Sequence, residues 1–447
     1  MSVNGLVIAA PSSATGKTTI TLALLRALKI AGISVSSAKS GPDYIDPAFH
    51  RAASGRPCFN LDAYAMSAAQ LLGVAQTVSQ DSELLIVEGA MGLFDGAANG
   101  QGSAADLAET LGFPVVLIVD CQKQAQSVAA VVHGFASFRK TPRIAGIILN
   151  RVGSLRHEKM LRQAIAPLGL PVLGAVYREV ELELPERHLG LVQASEMPEL
   201  ESFLTRAGKI AQKQIDLAAL RALARPLQAP IAAKLSENSK QLLAPLSQKI
   251  AIAKDVAFAF SYPQHIAEWK RQGVEITYFS PLNDEAPSQN ATAIFLPGGY
   301  PELYAQRLSR ALNFKAAMQS AAQQGTLIYG ECGGFMCLGE QLIDKAGVTH
   351  PMLGLLPLTT SFEKRKLHLG YRQLQLTDRQ KTAPVLPWQH TLVAHEFHYA
   401  SIIEQGAAQP LFNAVDALGI PLEAMGLQKG RVAGSFAHII CQSKVDE

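Results

Sequence analysis

Two short stretches of this sequence carry residue types that do chemistry at a defined spacing. The first is Ala9-Ala10-Pro11-Ser12-Ser13-Ala14-Thr15-Gly16-Lys17-Thr18-Thr19. Glycine, lysine and threonine in succession, between an apolar strand and a helix, form the informative end of a phosphate-binding loop. The backbone N–H groups of such a loop face an anion, and the helix N-terminus adds positive dipole. The Lys17 ammonium then reaches the terminal phosphates and the Thr18 hydroxyl ligates Mg²⁺. Thr15, Gly16, Lys17, Thr18 and Thr19 are therefore candidate nucleotide-binding residues. Pro11 stands where the usual pattern has its first glycine, so the assignment rests on the strand–loop–helix context.

Acidic residues at strand ends extend this site. Leu85-Ile86-Val87-Glu88-Gly89 is an apolar strand closing on a carboxylate, which places Glu88 to hold the nucleotide's Mg²⁺. Two further loops, Lys39-Ser40-Gly41-Pro42-Asp43-Tyr44-Ile45-Asp46-Pro47 and Gly92-Leu93-Phe94-Asp95-Gly96, also follow strands. Ligands bind at the C-terminal ends of strands in α/β sheets, so these loops are placed for metal and substrate contacts. Each alone also reads as a glycine/proline turn. Lys39 offers a second charge for the phosphates, although an isolated lysine more often points into solvent. Asn150, at the end of Ile147-Ile148-Leu149, reads as an adenine contact or as a strand-end turn residue.

The second stretch is Leu327-Ile328-Tyr329-Gly330-Glu331-Cys332-Gly333-Gly334-Phe335-Met336. A strand running into G-x-C-x-G has the spacing of a nucleophile elbow, where small neighbours permit a tight turn that exposes the nucleophile. The helix that follows is expected to lower the thiol pKa and favour the thiolate. Cys332 then needs a base. His438, in Gly434-Ser435-Phe436-Ala437-His438, is the candidate. His395 and His398 read as residues that support the site or contact substrate, or as packed core histidines. The turn Leu296-Pro297-Gly298-Gly299-Tyr300 follows another strand. Gly298, Gly299 and Gly333 are candidate oxyanion-hole residues, because glycine lets backbone N–H groups approach a ligand.

These sites need sheets to position them. Gly5–Ala10, Leu84–Val87, Val115–Asp120, Ala145–Asn150 and Val172–Val176 read as strands, alternating with helices such as 18–31 and 124–138. That rhythm implies βαβ units and a parallel sheet. Helix formers dominate from about Pro198, and a looser Pro- and Ser-containing stretch follows. A second α/β rhythm begins with strands at 249–253, 275–279, 293–296 and 327–329. The expected organisation is a first domain over 1–225, a linker over 226–248 and a second domain over 249–447. The chain has 447 residues, 48% of them hydrophobic and 17% charged, with a formal net charge of +3. That balance excludes disorder and gives no electrostatic footprint for nucleic acid or an anionic membrane. No apolar run approaches the roughly 20 residues that span a bilayer. Five scattered cysteines imply a reducing, cytoplasmic setting rather than a disulfide framework.

Taken in order, these motifs, with His395-Glu396-Phe397-His398-Tyr399 between them, resemble the cobyrinic acid a,c-diamide synthase family. Hydrogenobyrinic acid a,c-diamide synthase is a close relative with the same chemistry. The resemblance spans nearly the whole chain. It implies a P-loop NTPase domain similar to dethiobiotin synthetase, followed by a class I glutamine amidotransferase-like domain. It implies ATP, Mg²⁺, glutamine and a corrinoid tetrapyrrole as ligands. It places Lys17, Thr18, Asp46 and Glu88 at the nucleotide and Mg²⁺, with Thr18, Asp46 and Glu88 as metal ligands. Asp43, Tyr44 and Asp95 fall at the corrinoid or the reaction intermediate, Cys332 at the nucleophile and His438 at the base. Class I glutaminases carry a Glu two residues after the His, whereas His438-Ile439-Ile440 has none. This implies a Cys–His dyad with a less firmly held imidazole.

The implied reaction is amidation of the a and c carboxylates of cobyrinic acid through an acyl phosphate. Hydrogenobyrinic acid is the first alternative substrate and nickel sirohydrochlorin a more distant one. A reading from another class is a P-loop switch ATPase fused to an inert glutaminase-like module, which an intact Cys332–His438 pair argues against. A homodimer is compatible with either.

Overall fold

The computed structural model describes residues 3–178, 182, 186–187, 190–228, 241–382, 384–388 and 390–443. The chain divides into two compact units, Met1–Lys240 and Gln241–Glu447.

The first unit is built on seven parallel strands. They are β1 (Asn4–Ala9), β2 (Val35–Ser40), β3 (Cys58–Leu61), β4 (Leu84–Glu88), β5 (Val115–Asp120), β6 (Ile144–Val152) and β7 (Val172–Tyr177). Their spatial order is β3-β2-β4-β1-β5-β6-β7. The inner strands are near-continuous apolar runs because helices cover both faces. β5 reads Val-Val-Leu-Ile-Val-Asp with its first five residues buried. The helix Lys17–Ile30 leaves β1 through the phosphate loop and buries Leu24, Leu25 and Leu28 completely. Each such leucine contributes roughly 1.5–3 kcal/mol by leaving water. The helical segment after Pro198 forms Leu200–Gln214 and Leu217–Leu223.

Strand order creates the first site. β2, β4 and β1 are neighbours, with Lys39 paired to Glu88 and Glu88 to Ile8. The ends of these three strands therefore bring Lys39, Glu88 and the phosphate loop to one edge.

The second unit carries a mixed ten-stranded sheet. Its strand Leu327–Glu331, which leads into Cys332, lies between Ala293–Leu296 and Val432–Ser435, all parallel. The turn after Leu296, the elbow after Glu331 and the segment after Ser435 are therefore adjacent. The strand Ala437–Gln442 then pairs antiparallel with Leu392–His398, which sets His438 opposite His395.

Residues 226–248, expected as a linker, divide three ways. Pro226 pairs with Asn4 on β1. Residues 229–240 lie outside the described residues. Leu243 and Leu246 are buried in the second unit's core with Trp269 and Trp388, whose indole N–H groups donate to the Leu243 and Ala244 carbonyls at 2.9 Å. Among the described residues no helix is long and apolar enough to cross a membrane. All five cysteines are buried as thiols.

Candidate active sites

In the first unit, Gly16 ends the loop at φ +82° as the N-cap of the helix Lys17–Ile30. A Cβ at this position would meet Asn150 Nδ2 at 2.4 Å as well as being strained, so glycine is favoured here. Asn150 donates that amide to the Thr15 carbonyl at 2.8 Å. The residue expected to contact adenine thus holds the loop in this structure. Lys17 is buried and donates to the Met91 carbonyl. The segment carrying Met91 is tied to the loop by Leu93 N–H, which donates to the Ala10 carbonyl at 2.8 Å. Asp95 in the same segment is exposed and accepts the Gly92 N–H at 3.0 Å.

Beside Lys17 lies a buried charge cluster. Thr18 Oγ1 is 2.7 Å from Glu88 Oε1 and 3.3 Å from Asp46 Oδ2. Lys39 is buried rather than solvated, and its ammonium bridges Asp46 at 2.5 Å and Glu88 at 2.6 Å. Asp43 stands 3.9 Å from Lys39. Its other oxygen accepts the Ile45 and Asp46 N–H groups at 2.9 Å, which starts the helix Asp46–Ser54. Tyr44 and Thr19 are half-buried at the rim. Three hard oxygen donors converging on a point where a cation is already held are the donor set that Mg²⁺ takes, so the residues fit the ion.

Burial disfavours charge throughout this cluster, and specific partners decide the outcome. Burial, assisted by Lys39, brings Lys17 down to about 8. Burial also opposes charge on Lys39, but Asp46 and Glu88 outweigh it and hold Lys39 well above its ordinary value. Burial and Asp43 push Asp46 up to about 6. Glu88 stays far below the ordinary carboxylate range because Lys39 and His50 overcome its burial. Of the two carboxylates sharing Lys39, Glu88 thus carries the firmer charge, since His50 supports its other oxygen.

In the second unit, Cys332 sits at φ +46°, ψ −105° and caps the short helix Gly333–Leu338. That is the strained elbow expected from the flanking glycines. Its N–H donates to the Ser435 carbonyl at 2.8 Å. The backbone N–H groups of Gly299 and Gly333 lie near its sulfur and pull the thiol pKa down. Gly298 packs against both catalytic candidates. A Cβ there would lie 2.2 Å from His438 Cε1, 2.9 Å from its Nε2 and 3.2 Å from Cys332 Cβ.

The electrostatics correct one expectation. Burial, reinforced by Glu302, pushes the Cys332 thiol up to about 12. The short helix does not offset that cost, so Cys332 rests as a thiol. Burial, with His395 and His398 adding, brings His438 down to about 3, so its imidazole is neutral. A neutral thiol beside a neutral base reacts by proton transfer during attack. His398 Nε2 pairs with Glu396 at 2.9 Å and its ring stacks 3.8 Å from Phe436. His368, Glu396 and His398 bring three ligand atoms within 4.8 Å, but Arg372 pairs with Glu396 at 2.7 Å and supplies the cation there.

Residues 6–192 match the CobQ/CobB/MinD/ParA nucleotide binding domain, and residues 249–445 match the CobB/CobQ-like glutamine amidotransferase domain. A Brucella anthropi protein named hydrogenobyrinate a,c-diamide synthase is 54% identical over 440 residues, covering 98% of each chain. The chain belongs to the hydrogenobyrinate a,c-diamide synthase family. A Rhizobium meliloti protein of that name is 52% identical over 98% of this chain and 99% of its own. A Mesorhizobium japonicum one is 48% identical over 99% of this chain and 100% of its own.

Two residues of this family member carry no motif signal of their own. His50 lies inside a helix and reaches Glu88 with its Nε2. Glu331 directly precedes Cys332, is buried, and lies beside His438. A neighbour of Cys332 at the end of a parallel strand was the signal available for it.

Proposed function

We propose that this chain is an ATP- and glutamine-dependent ligase that amidates the a and c carboxylates of hydrogenobyrinic acid, the metal-free counterpart of cobyrinic acid. Near-full-length likeness to relatives bearing that name supports the metal-free substrate. One observation carries the chemistry. A single chain holds a phosphate loop with its oxygen donors and, on its second unit, a thiol–imidazole pair beside two inward N–H groups.

We assign the synthetase chemistry to residues 1–225 and ammonia release to 249–447. A carboxylate is a poor electrophile because its leaving group would be oxide. Lys17, Lys39 and the loop N–H groups stabilise negative charge as the γ-phosphoryl group passes to the substrate carboxylate. Thr18, Asp46 and Glu88 would hold Mg²⁺, which when bound neutralises phosphate charge. Asp43, Tyr44 and Asp95 contact the macrocycle, and Asn150 the adenine. In the second unit, His438 Nε2 takes the Cys332 proton as sulfur attacks the glutamine amide carbon. It then gives that proton to the leaving ammonia, and water cleaves the thioester. The N–H groups of Gly299 and Gly333, with Gly298 giving the ring room, receive the oxyanion. Five buried thiols support a reducing, cytoplasmic setting.

The test is direct assay of the full chain with ATP, Mg²⁺, glutamine and either macrocycle. Diamide formation from hydrogenobyrinic acid is expected, with Cys332→Ala working only on added ammonium. Amidation of neither macrocycle defeats the reading, and exclusive use of cobyrinic acid reverses the substrate assignment.

A further inference from the structure

The Glu331 side chain touches the catalytic histidine's strand at two points. Its Oε1 accepts the N–H of Ile439, the residue after His438, at 3.1 Å. Its Oε2 lies 3.7 Å from His438 Nδ1, the nitrogen remote from the nucleophile's neighbour Gly298. Closing the remaining gap of less than an ångström completes a hydrogen bond. The carboxyl group also lines a narrow, mostly apolar cavity with Phe295, Trp269 and Trp388. Burying a carboxylate in such surroundings is costly. Holding the Ile439 N–H alone would be served equally by glutamine.

We infer that Glu331 is the positioning residue for His438: its carboxylate accepts the Nδ1–H of the imidazole and so presents Nε2 as the base for the Cys332 thiol. The chain has no acid two residues after its histidine. The orienting group arrives instead from the residue before the nucleophile, on the neighbouring strand. The proton inventory closes. Nδ1 keeps its proton throughout, Nε2 receives the sulfur proton and returns it to ammonia, and Glu331 stays ionised to stabilise the imidazolium between those steps. This inference rests on the glutaminase reading above.

The groups facing Glu331 isolate its titration. They are Tyr329 on its own strand, Tyr262 and His265 across the cavity, His438, and Cys332 next in sequence. Burial lifts Glu331 to about 8, with the Ile439 N–H and Tyr329 pulling the other way. Burial moves its neighbours out of the range: His265 down to about 4, His438 down to about 3, Cys332 up to about 12, and Tyr329 well above its ordinary value. Glutamine hydrolysis should therefore gain a rising limb near pH 8 that belongs to the coupled Glu331–His438 pair.

The experiment measures glutamate release and diamide formation between pH 6 and 9 for the full-length wild type, Glu331→Gln and Cys332→Ala. With glutamine, Glu331→Gln should lose kcat by roughly 10²- to 10⁴-fold, as expected when the orienting acid becomes an amide and the tautomer inverts. Its KM should stay within about threefold of wild type, its rising limb should vanish, and synthesis from ammonium should be unchanged. A glutamine-dependent kcat within threefold of wild type, or a retained limb, overturns the inference. Should Glu331→Gln not fold, ¹⁵N resonances of His438 in the wild type decide, assigned against His438→Gln. A proton on Nδ1 supports the inference and one on Nε2 overturns it. Glutamine-dependent synthesis by Cys332→Ala would instead overturn the glutaminase reading itself. With Cys332→Ala inactive on glutamine, the Glu331 results bear on the inference alone.

Discussion

His50 Nε2 lies 2.7 Å from Glu88 Oε2, and both side chains are completely buried. This pairing divides the Glu88 carboxylate between two tasks. One oxygen is held by the imidazole from the helix Asp46–Ser54. The other faces Thr18 and Lys39, where a metal ion would sit. Groups that fix a ligand's free oxygen usually matter to metal affinity nearly as much as the ligand does.

Replacing His50 by alanine should destabilise the first unit by about 3 kcal/mol, because it strands a buried carboxylate oxygen. It should also weaken Mg²⁺–ATP binding roughly 10- to 100-fold. The pH dependence follows from the two shifts. Glu88 is held below its ordinary 4.5, so its contribution is complete above that value and fades at lower pH. His50 is lifted to about 10: burial opposes its charge, but the Cys58 sulfur and Glu88 outweigh it. Its contribution is complete below 6.5 and is lost as pH climbs through 10. The gap between wild type and variant in urea unfolding should therefore be widest between pH 4.5 and 6.5. A gap that does not change with pH would remove the ion pair from the account.

Lys39 holds the two carboxylates together with its ammonium, so a metal ion bound there would compete with lysine for the same oxygens. Lys39→Met should bind Mg²⁺ roughly tenfold more tightly without nucleotide, a change of about 1.4 kcal/mol. ATP-dependent synthesis should nevertheless fall, because the phosphates lose a counter-charge. Calorimetric titration with Mg²⁺ checks the first half, and equal or weaker binding would show that the ammonium does not compete.

Much of this was legible from residue order. Continuous apolar runs marked Val115–Asp120, Lys249–Ala253 and Ala293–Leu296 with their observed bounds, as parallel strands covered on both faces should. Glycine-flanked Lys17 and Cys332 announced themselves through local pattern. The strand Val35–Ser40 did not, since Val-Ser-Ser-Ala-Lys-Ser is polar yet entirely buried. Its Ser36 hydroxyl is satisfied by Ser82 at 2.6 Å, in the segment just before the strand Leu84–Glu88. His50 and Glu331 were silent for the same reason. Their roles come from strand order and register, which bring a helix residue to Glu88 and a strand end to His438.

The reactivity of Cys332 shows the same division. Elbow spacing marked Cys332 as the candidate nucleophile, but its ionisation depends on burial. With the thiol pushed up to about 12, the thiolate is a minor form at pH 8. Iodoacetamide should therefore modify Cys332 far more slowly than a free cysteine when glutamine is absent. Mass-spectrometric alkylation rates measure this, and labelling as fast as free cysteine would mean the thiolate is the resting form.

Gly298 gives the imidazole its space. A methyl group there would sit 2.2 Å from His438 Cε1, so Gly298→Ala must displace the ring or the turn. Displacements near an ångström cost about 10²-fold in catalysis. Glutamate release should fall by that order while synthesis from ammonium persists. Unchanged glutamate release would mean the ring position in the reacting enzyme is different.

Glu331 should leave a mark on stability as well as on rate. Its folded-state value near 8 lies above the ordinary 4.5, so the fold favours the protonated carboxyl. That contribution is complete below 4.5 and is lost as pH rises through 8. Glu331→Gln cannot ionise and keeps an oxygen for the Ile439 N–H. Between pH 6 and 9 the wild-type Tm should therefore drop relative to the variant, on the order of 5 °C. Parallel melting curves would place the carboxylate in water, where it could neither cost stability nor orient His438. A diverging pair, together with loss of glutamine-dependent turnover in the more stable variant, would mean that ionised Glu331 is retained for catalysis at the expense of the fold.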